Sequence, residues 1–322
     1  MRVVITDCDH DSIKIEEDIL NAAGLEFKLL QCRTEDDIIQ KCGDAEIFIN
    51  QYAPITERVI RELPNLKIVI RYGVGVDNVD LDAATKYGVV VCNVPDYGMN
   101  EVAEQAMALM FALVRKTVIM VNDTKSGNWD YTKAVPIHRF SYLTIGICGI
   151  GRIGTCFANK VQHLTSNIIC YDPFVSPCKI NGLEFVKSVD FDTLLKDSDI
   201  ISIHTPLNEN TKGMFNMDAF KKMKKSAYLI NTARGGIINE NDLDEALTIG
   251  EIGGAAMDCM ENEPIIGSNP LYKHSNFLAT PHMSWYSEEA YRELKRKVAE
   301  EAVRFSKGEK LRNPLNSPCS PR

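Results

Sequence analysis

The sequence predicts an α/β protein built from two doubly wound parallel-sheet domains. Short apolar runs alternate with amphipathic helical segments in the N-terminal third of the chain, and the alternation restarts near residue 143. Strands that alternate with helices in this way are typical of a parallel sheet covered by helices on both faces. The chain has 322 residues, which is long for one compact domain and sufficient for two.

The first part of the pattern contains short strand-like runs separated by helical segments at 12–23, 34–42 and 56–62. The strand-like runs are "RVVIT", "FKLLQ", "EIFIN", "LKIVIR" and "VVVCN". A single long helix is predicted next, over "NEVAEQAMALMFALVRKTVIMVN", with Asn100 as its N-cap. Because this helix is apolar nearly all round, we expect it to be buried in its own domain or against a second subunit, which favours a homodimer.

The second part of the pattern contains the runs "LTIGIC", "NIICYD", "DIISIHTP", "AYLINTA", "GGAAMDC" and "NFLATPH". A charged helix over roughly 287–307 follows, and the last ten residues, "NPLNSPCSPR", are expected to form a loose tail because they contain three prolines. We expect the last helix to return to the first domain. The predicted boundaries are therefore 1–98 plus 287–322 for a discontinuous first domain and 99–286 for a second domain inserted into it.

Composition and charge exclude several classes of protein. The formal net charge is -8 and the sequence pI is about 5.4, which argues against electrostatic binding to nucleic acid or to an anionic membrane. No apolar run approaches the length of a membrane span, and the N-terminus lacks the apolar core of a signal peptide. The ten cysteines are scattered and show no zinc-site spacing, so no metal is predicted and reduced thiols in the cytoplasm fit best.

The segment "GICGIGRIG" contains Gly149, Gly151 and Gly154 in G-x-G-x-x-G spacing. The spacing alone is a weak signal, but here it follows a strand-like run, opens the helical segment 152–164 and precedes a strand that ends at Asp172. This order is typical of a dinucleotide site, in which glycines admit the pyrophosphate and a carboxylate binds the ribose hydroxyls. A tight structural turn with an unrelated aspartate is the alternative.

The carboxylate also indicates which dinucleotide binds. Asp172 would repel the 2′-phosphate of NADP, so NAD is the predicted cofactor. Arg152, within the loop, is compatible with NAD because its side chain is able to face the pyrophosphate.

Polar residues directly follow four later strand-like runs. Since the carboxyl ends of parallel strands lie at one edge of a sheet, where ligands bind, we expect these residues to face one cleft. Each could also be a hydrogen-bonded structural group. The residues are His204-Thr205, Asn231-Thr232, Asp258 and His282.

Two residues near this edge have the chemistry to act on a small acid. Arg234, in "NTARGG", lies in a turn after a strand, where its guanidinium group is able to fork onto a carboxylate. His282 is able to supply a proton near neutral pH, and an anionic partner would raise its pKa. Glu261 and Glu263 are the candidate partners, and the residues alone do not choose between them.

Together these motifs resemble the D-2-hydroxyacid dehydrogenase family. The resemblance covers nearly the whole chain and includes "RYGVGVDNVD" in the first domain, "HTPLNENT", "NTARGG" and "TPH". It implies a Rossmann NAD-binding domain inserted in a flavodoxin-like substrate-binding domain. It also implies reversible hydride transfer between NADH and a 2-keto acid, in which Arg234 holds the substrate, His282 exchanges the proton and Glu263 is the partner of His282.

The resemblance also implies the residues that contact each ligand. The residues implied to contact the cofactor are Gly149, Gly151, Arg152, Ile153, Gly154, Asp172, His204, Thr205, Pro206, Thr211, Thr232, Ala233 and Asp258. In the first domain, the N–H groups of Val74, Gly75 and Val76 are expected to bind the substrate carboxylate, with Arg71 beside them. A plain turn is the alternative for this segment.

The segment after His282 is more similar to the C-terminal-binding-protein branch of the family, which has a tryptophan in the position of Trp285. The indole is expected either to narrow the substrate pocket or stack on an apolar substrate tail, or else to anchor the two domains. Gln51 stands where that branch has a histidine. Two further functions therefore stay open: an NAD-sensing corepressor-like scaffold, and a 3-phosphoglycerate dehydrogenase without a regulatory domain, for which more basic residues would be expected near Arg71.

Overall fold

The computed structural model of the chain describes residues 1–175, 183–265 and 267–322. The chain divides into two compact units, Met1–Gly98 with Ser287–Arg322, and Met99–Tyr286. Each unit is an α/β sheet structure, which confirms the predicted fold class.

The first unit contains a five-stranded parallel sheet in the order β2-β1-β3-β4-β5. Its strands are β1 (Arg2–Ile5), β2 (Glu26–Leu29), β3 (Ile47–Asn50), β4 (Ile68–Arg71) and β5 (Val90–Cys92). Its helices are α1 (Lys14–Ala22), α2 (Glu35–Lys41), α3 (Glu57–Glu62), α4 (Leu81–Lys86) and the returning C-terminal helix α11 (Glu288–Ser306). This strand order is that of flavodoxin-like folds, which bind ligands at the carboxyl ends of the strands.

The second unit contains a seven-stranded parallel sheet in the order β12-β11-β10-β9-β6-β7-β8. Its strands are β6 (Ile145–Cys148), β7 (Ile168–Tyr171), β8 (Val186–Ser188), β9 (Ile200–Ile203), β10 (Tyr228–Asn231), β11 (Gly254–Met257) and β12 (Phe277–Ala279). Its helices are α5 (Met99–Val114), α6 (Thr117–Lys125), α7 (Arg152–Val161), α8 (Phe191–Asp197), α9 (Met217–Phe220) and α10 (Glu240–Ile249). Strand order reverses at β6, as in dinucleotide-binding Rossmann sheets.

The prediction of one long helix after the first domain was wrong. Two helices, α5 and α6, replace it, and the break falls at Lys116, which has a left-handed φ of 53°. The apolar face of α5 is buried in its own unit as far as Val114, whereas α6 buries no residue. The predicted cap was also wrong, because α5 begins at Met99 and Asn100 lies inside its first turn.

The prediction of a loose C-terminal tail was wrong as well. Pro314 forms an antiparallel bridge with Cys92 at the end of β5, and the Leu315 N–H donates to the Val91 carbonyl at 2.8 Å. The guanidinium group of Arg322 donates to backbone carbonyls at and just beyond the end of α3. Backbone pairing with an edge strand therefore orders a segment that its composition marks as unstructured.

Candidate active site

The polar residues predicted at the strand ends lie along one edge of the seven-stranded sheet. Strands β9, β10, β11 and β12 are direct neighbours and all parallel. Their carboxyl ends therefore bring together the residues that follow them, which are His204-Thr205, Asn231-Thr232, Asp258 and His282.

The glycine loop after β6 is shaped by close backbone contacts. Gly149 has a φ of 92°, and a Cβ atom there would lie 2.9 Å from the His204 carbonyl. A Cβ atom at Gly154 would lie 2.0 Å from the Gly149 oxygen, whereas one at Gly151 would meet no protein atom within 4 Å. Gly149 and Gly154 are thus required by the fold, and the space at Gly151 is open to a ligand.

Helix α7 starts directly after this loop. The N–H groups of Arg152 and Ile153 lie in its first turn, where a helix has no internal acceptors and favours an anion. Asp172 follows β7, and its carboxylate accepts hydrogen bonds from the N–H groups of Ile150 and Phe174, both at 3.0 Å. The carboxylate thus lies beside the glycine loop, as the sequence predicts for a ribose partner.

Two buried hydroxyl groups give an independent test of whether a dinucleotide fits. Thr205 and Thr232 are buried at the ends of β9 and β10, and neither hydroxyl oxygen has a hydrogen-bond partner within residues 1–175, 183–265 and 267–322. Buried polar atoms are rarely left without partners in native proteins. Together with the open space at Gly151, they fit NAD on this edge.

His204 packs beside the glycine loop in an apolar environment. Its ring centroid lies 5.1 Å from that of Phe157, and Nε2 is 2.9 Å from the Ser202 hydroxyl. Burial lowers the pKa of His204 to about 3. This histidine is therefore neutral at physiological pH and forms a wall of the site.

The loop after β9 is closed by its own hydrogen bonds. The Thr211 hydroxyl donates to the Pro206 carbonyl at 2.6 Å and accepts from the Asn208 N–H at 2.9 Å. In the turn after β10, the Ala233 N–H donates to the Asn231 side chain at 3.0 Å. These residues shape the loops at the edge where the sequence predicts cofactor contacts.

Asp258 organises the loop that carries the C-terminal histidine. Its carboxylate is buried and accepts from the Thr280 hydroxyl at 2.6 Å and from the N–H groups of Met283 and Ser284 at 3.0 and 2.8 Å. His282 lies inside this loop with a left-handed φ of 51°. The sequence predicted Asp258 as a polar residue at the end of a strand. It gave no sign that the Asp258 carboxylate accepts hydrogen bonds from this loop, which the structure shows.

His282 is paired with Glu263. Its Nδ1 atom lies 2.6 Å from the Glu263 Oε2 atom, so Nε2 is the nitrogen that is able to meet a ligand. Burial raises the pKa of Glu263, but the hydrogen bond and charge of His282 outweigh burial and leave this pKa below its ordinary value. Glu261, the other candidate, instead uses its N–H to bond the Glu240 carboxylate.

Arg234 lies in the turn between β10 and the following segment. Its Nη1 atom donates to the Ala233 carbonyl at 2.7 Å, and its own carbonyl accepts from the Asn231 side chain at 2.8 Å. A Cβ atom at Gly235 would lie 2.0 Å from the Met260 carbonyl carbon. This glycine therefore lets the Arg234 turn pack directly on the loop that leads to Glu263.

Trp285 follows the same loop and is half-buried, with its ring edge-to-face to that of Tyr286 at 5.6 Å. It thus lies near His282 in the chain. Its predicted contact with substrate stays a prediction.

The predicted substrate residues of the first unit lie at the carboxyl end of β4. Within the described residues, the N–H groups of Val74, Gly75 and Val76 donate no hydrogen bond. Arg71 donates from Nε to the Asn78 side chain at 3.2 Å and lies over the Tyr52 ring at 5.7 Å. The three N–H groups form a short row of donors suited to an anion.

The glycine loop, Asp172, Thr205 and Thr232 form a dinucleotide cradle on the same sheet edge as the His282–Glu263 acid–base pair. A nicotinamide-dependent dehydrogenase requires both. The chain belongs to the D-isomer specific 2-hydroxyacid dehydrogenase family, because residues 107–284 match the model of that family's NAD binding domain.

Similar proteins agree with this assignment. The chain is 38% identical over 302 residues to a D-3-phosphoglycerate dehydrogenase of Archaeoglobus fulgidus, covering 94% of this chain and 57% of that protein. It is 36% identical over 282 residues to a glycerate dehydrogenase of Methylorubrum extorquens, covering 85% and 87% respectively. The structure of an NAD-dependent formate dehydrogenase from Staphylococcus aureus in complex with NAD superposes with a TM-score of 0.88 at 29% identity, covering 99% and 100%.

These matches confirm the predicted family and its NAD binding domain, and they do not favour a corepressor-like scaffold. The chain spans little more than half the length of the phosphoglycerate dehydrogenase it matches. The nearer resemblance to the C-terminal-binding-protein branch stays a prediction. No helix of the described segments is long and apolar enough to cross a membrane, and no metal-binding cluster lies among the residues that the structure describes.

Gly151→Ala is expected to weaken NADH binding without destabilising the fold, because the added methyl group fills space that only a ligand uses. The expected rise in Kd is about tenfold or more, or about 1.4 kcal/mol, measured by fluorescence titration alongside the melting temperature. Gly43→Ala is the matched control, since Gly43 also has open space around it. An unchanged Kd in Gly151→Ala would contradict the prediction that NADH occupies the space beside Gly151.

The lowered pKa of Glu263 predicts how stability depends on pH. A carboxyl group whose pKa is lower in the folded than in the unfolded protein stabilises the fold when the pH is above the pKa of the unfolded state. This stabilisation is lost as the pH falls through the pKa of the folded state. The difference in free energy of unfolding between wild type and Glu263→Gln should therefore shrink as pH falls below the ordinary value of 4.5. Urea unfolding at a series of pH values tests this, with Glu261→Gln as the control; a difference that grows in acid would contradict it.

Proposed function

We propose that this protein interconverts a 2-keto acid and a D-2-hydroxy acid by hydride transfer with NAD. The observation that carries the proposal is the 2.6 Å bond between His282 and Glu263, on the sheet edge that also carries the dinucleotide cradle. A histidine held by a carboxylate beside a hydride donor is the arrangement that carbonyl reduction needs.

Three side chains share the chemistry in this proposal. Arg234 binds the substrate carboxylate and polarises the keto oxygen, because a guanidinium group forks onto oxygen atoms. His282 donates a proton from Nε2 to the keto oxygen in reduction and takes it back in oxidation. Glu263 holds Nδ1, orients the ring and stabilises its charged form. NAD, when bound, supplies or accepts the hydride.

We propose that the first unit, Met1–Gly98 with Ser287–Arg322, binds the substrate and that the second unit, Met99–Tyr286, binds NAD. The free donors of Val74, Gly75 and Val76 support this role, because successive N–H groups bind an anion such as a carboxylate. Arg71 adds a positive charge beside them.

The charges of the first unit favour a substrate without a phosphate group. Asp7 and Asp9 follow β1 at the carboxyl edge of the sheet, where Arg71 is at the end of β4. The Asp7 carboxylate accepts from the N–H groups of Gln51 and Ala53, both at 3.1 Å, and Gln51 also bonds Asp9. The negative charges of Asp7 and Asp9 at this edge would oppose a doubly charged phosphate, so we propose an unphosphorylated 2-keto acid rather than the substrate of a phosphoglycerate dehydrogenase.

A homodimer is part of the proposal. The segment after α6 leaves large apolar side chains exposed, with Trp129 at 91% and Tyr142 at 75% of their full exposure. Lys133 in this segment bonds Asp123 in α6 at 2.7 Å, so the segment and the unburied α6 form one surface. Apolar surface of this kind typically marks an association site, and a second copy of the chain is the proposed partner.

A cytoplasmic location is also proposed. It rests on the free cysteines in the described residues, most of which are buried and show no disulfide.

His282→Ala is expected to lower kcat by about 10² to 10⁴, the usual contribution of a general acid, while the Kd of NADH stays unchanged. The measurement is NADH oxidation with a panel of 2-keto acids, including glyoxylate, hydroxypyruvate and its phosphate ester. His163→Ala is the control, because His163 is exposed. Tight NADH binding without reduction of any keto acid would contradict the dehydrogenase proposal. A preference for the phosphate ester would contradict the proposal that the substrate is unphosphorylated.

Trp129→Glu combined with Tyr131→Glu, where Tyr131 is also exposed at 77%, is expected to convert a dimer into a monomer, because buried carboxylates would oppose association. Light scattering gives the mass in solution. Ile249→Glu, at an exposed apolar position on α10, is the matched control and should leave the dimer intact. A wild-type protein that is monomeric would overturn this part of the proposal.

A further inference from the structure

The first unit contains an ion pair that is removed from solvent. Lys295 Nζ on α11 lies 2.8 Å from Glu16 Oε1 on α1, and the two side chains are 1% and 0% exposed. The two helices pack along each other, so the pair fixes the returning helix α11 to the unit that it closes.

Tyr72 is the third member of this network. Its hydroxyl group donates to the same Glu16 Oε1 atom at 2.7 Å, and its ring is edge-to-face to that of His10 at 5.6 Å. His10 also packs edge-to-face on Tyr291 of α11 at 5.1 Å. Burial and the Glu16 charge raise the pKa of Tyr72 well above its ordinary value, so the hydroxyl stays a donor.

A buried ion pair is costly to maintain. Removing two charges from water is compensated only when the geometry is good and further hydrogen bonds satisfy the charged atoms, and an apolar pair often gives equal stability. The Tyr72 hydroxyl gives Glu16 Oε1 one such hydrogen bond, whereas Glu16 Oε2 has no hydrogen-bond partner among the described residues. A network of this kind specifies one conformation more strongly than an apolar contact, because any shift of a member leaves a buried charge without its partner.

The conformation that this network specifies is that of the segment which carries the proposed anion donors. Tyr72 follows Arg71, and one residue, Gly73, separates it from the row Val74–Val76. Its N–H donates to the Asn50 carbonyl at 2.8 Å, which fixes the backbone to β3, while its side chain is fixed to α1 and α11. Tyr72 is thus attached through its backbone and its side chain one residue before the row of donors begins, and the intervening Gly73 N–H donates to the Arg71 carbonyl at 2.9 Å.

We propose that Tyr72, held by the Glu16–Lys295 pair, is a positioning residue that places the N–H groups of Val74–Val76 for the substrate carboxylate. The inference deepens the proposed function and rests on it. None of the three side chains touches the substrate in this proposal. They act by fixing the row of donors before the acid binds, which lowers the conformational entropy lost on binding.

Tyr72→Phe tests the inference most directly, because it removes one oxygen atom and leaves the Glu16–Lys295 pair in place. We expect the KM for the keto acid and the Kd for oxalate, an unreactive analogue, to rise about tenfold, or about 1.4 kcal/mol. The kcat and the Kd for NADH should stay at the wild-type values. A residue with a purely structural role would lower the melting temperature without this separation of KM from kcat.

Two further variants keep the test decisive. Glu16→Gln should raise the same KM and Kd, since it removes the charge that holds Tyr72. Glu46→Gln is the matched control, because it breaks the 2.8 Å ion pair with Lys67 at the opposite, amino ends of the strands, and it should leave both constants unchanged.

The outcomes separate this inference from the function on which it rests. If the wild type neither reduces a keto acid nor binds oxalate, the proposed function fails. If the wild type does both and Tyr72→Phe has the wild-type KM and oxalate Kd, the positioning role fails while the proposed function stands. An equal rise in KM in Glu46→Gln would also overturn the inference, because the loss of any ion pair in the first unit would then be enough to weaken substrate binding.

Discussion

The buried carboxylate of Asp258 is the interaction on which the geometry of the active-site edge depends. A buried carboxylate is costly unless donors surround it, and the donors come from the neighbouring loop: the Thr280 hydroxyl and the N–H groups of Met283 and Ser284. Satisfying that charge bends the loop and holds His282 in a left-handed conformation, which costs about 1 to 3 kcal/mol for a non-glycine residue. The histidine that is proposed to carry the proton is therefore placed by the adjacent strand, β11, and not by β12, which it follows.

The first unit also contains a buried carboxylate that fixes a neighbouring loop, in this case that of Asp7. Asp7 follows β1, is buried, and accepts from consecutive N–H groups at the start of the segment after β3, including those of Gln51 and Ala53. In both units a carboxylate at the end of one parallel strand thus shapes the loop of a neighbouring strand. Parallel sheets favour this solution because their carboxyl ends lie side by side, and the loops it fixes are those to which we assign binding and proton transfer.

Sequence patterns predicted the features that depend on local residues, namely the main strands, the glycine loop and the polar strand ends. They could not choose between Glu261 and Glu263 as the partner of His282 from the residues alone, because the choice depends on how the loop backbone turns. The helix break at Lys116 was missed because the segment has continuous apolar character, and only tertiary burial ends α5. The short edge strand β8 and the docked tail were missed for a related reason, since pairing with a neighbouring strand outweighs their own composition.

The docked tail also closes the outer edge of the five-stranded sheet. The Val91 N–H donates to the Asn316 side chain, and the Val91 carbonyl accepts from Leu315, both at 2.8 Å, so the backbone of β5 is paired within the chain. Exposed strand edges are templates on which other chains pair and aggregate. The three prolines of the tail lack N–H groups and therefore offer few donors for a further strand. The segment thus covers the β5 edge of the sheet and is itself a poor template, which protects this edge against pairing with another chain.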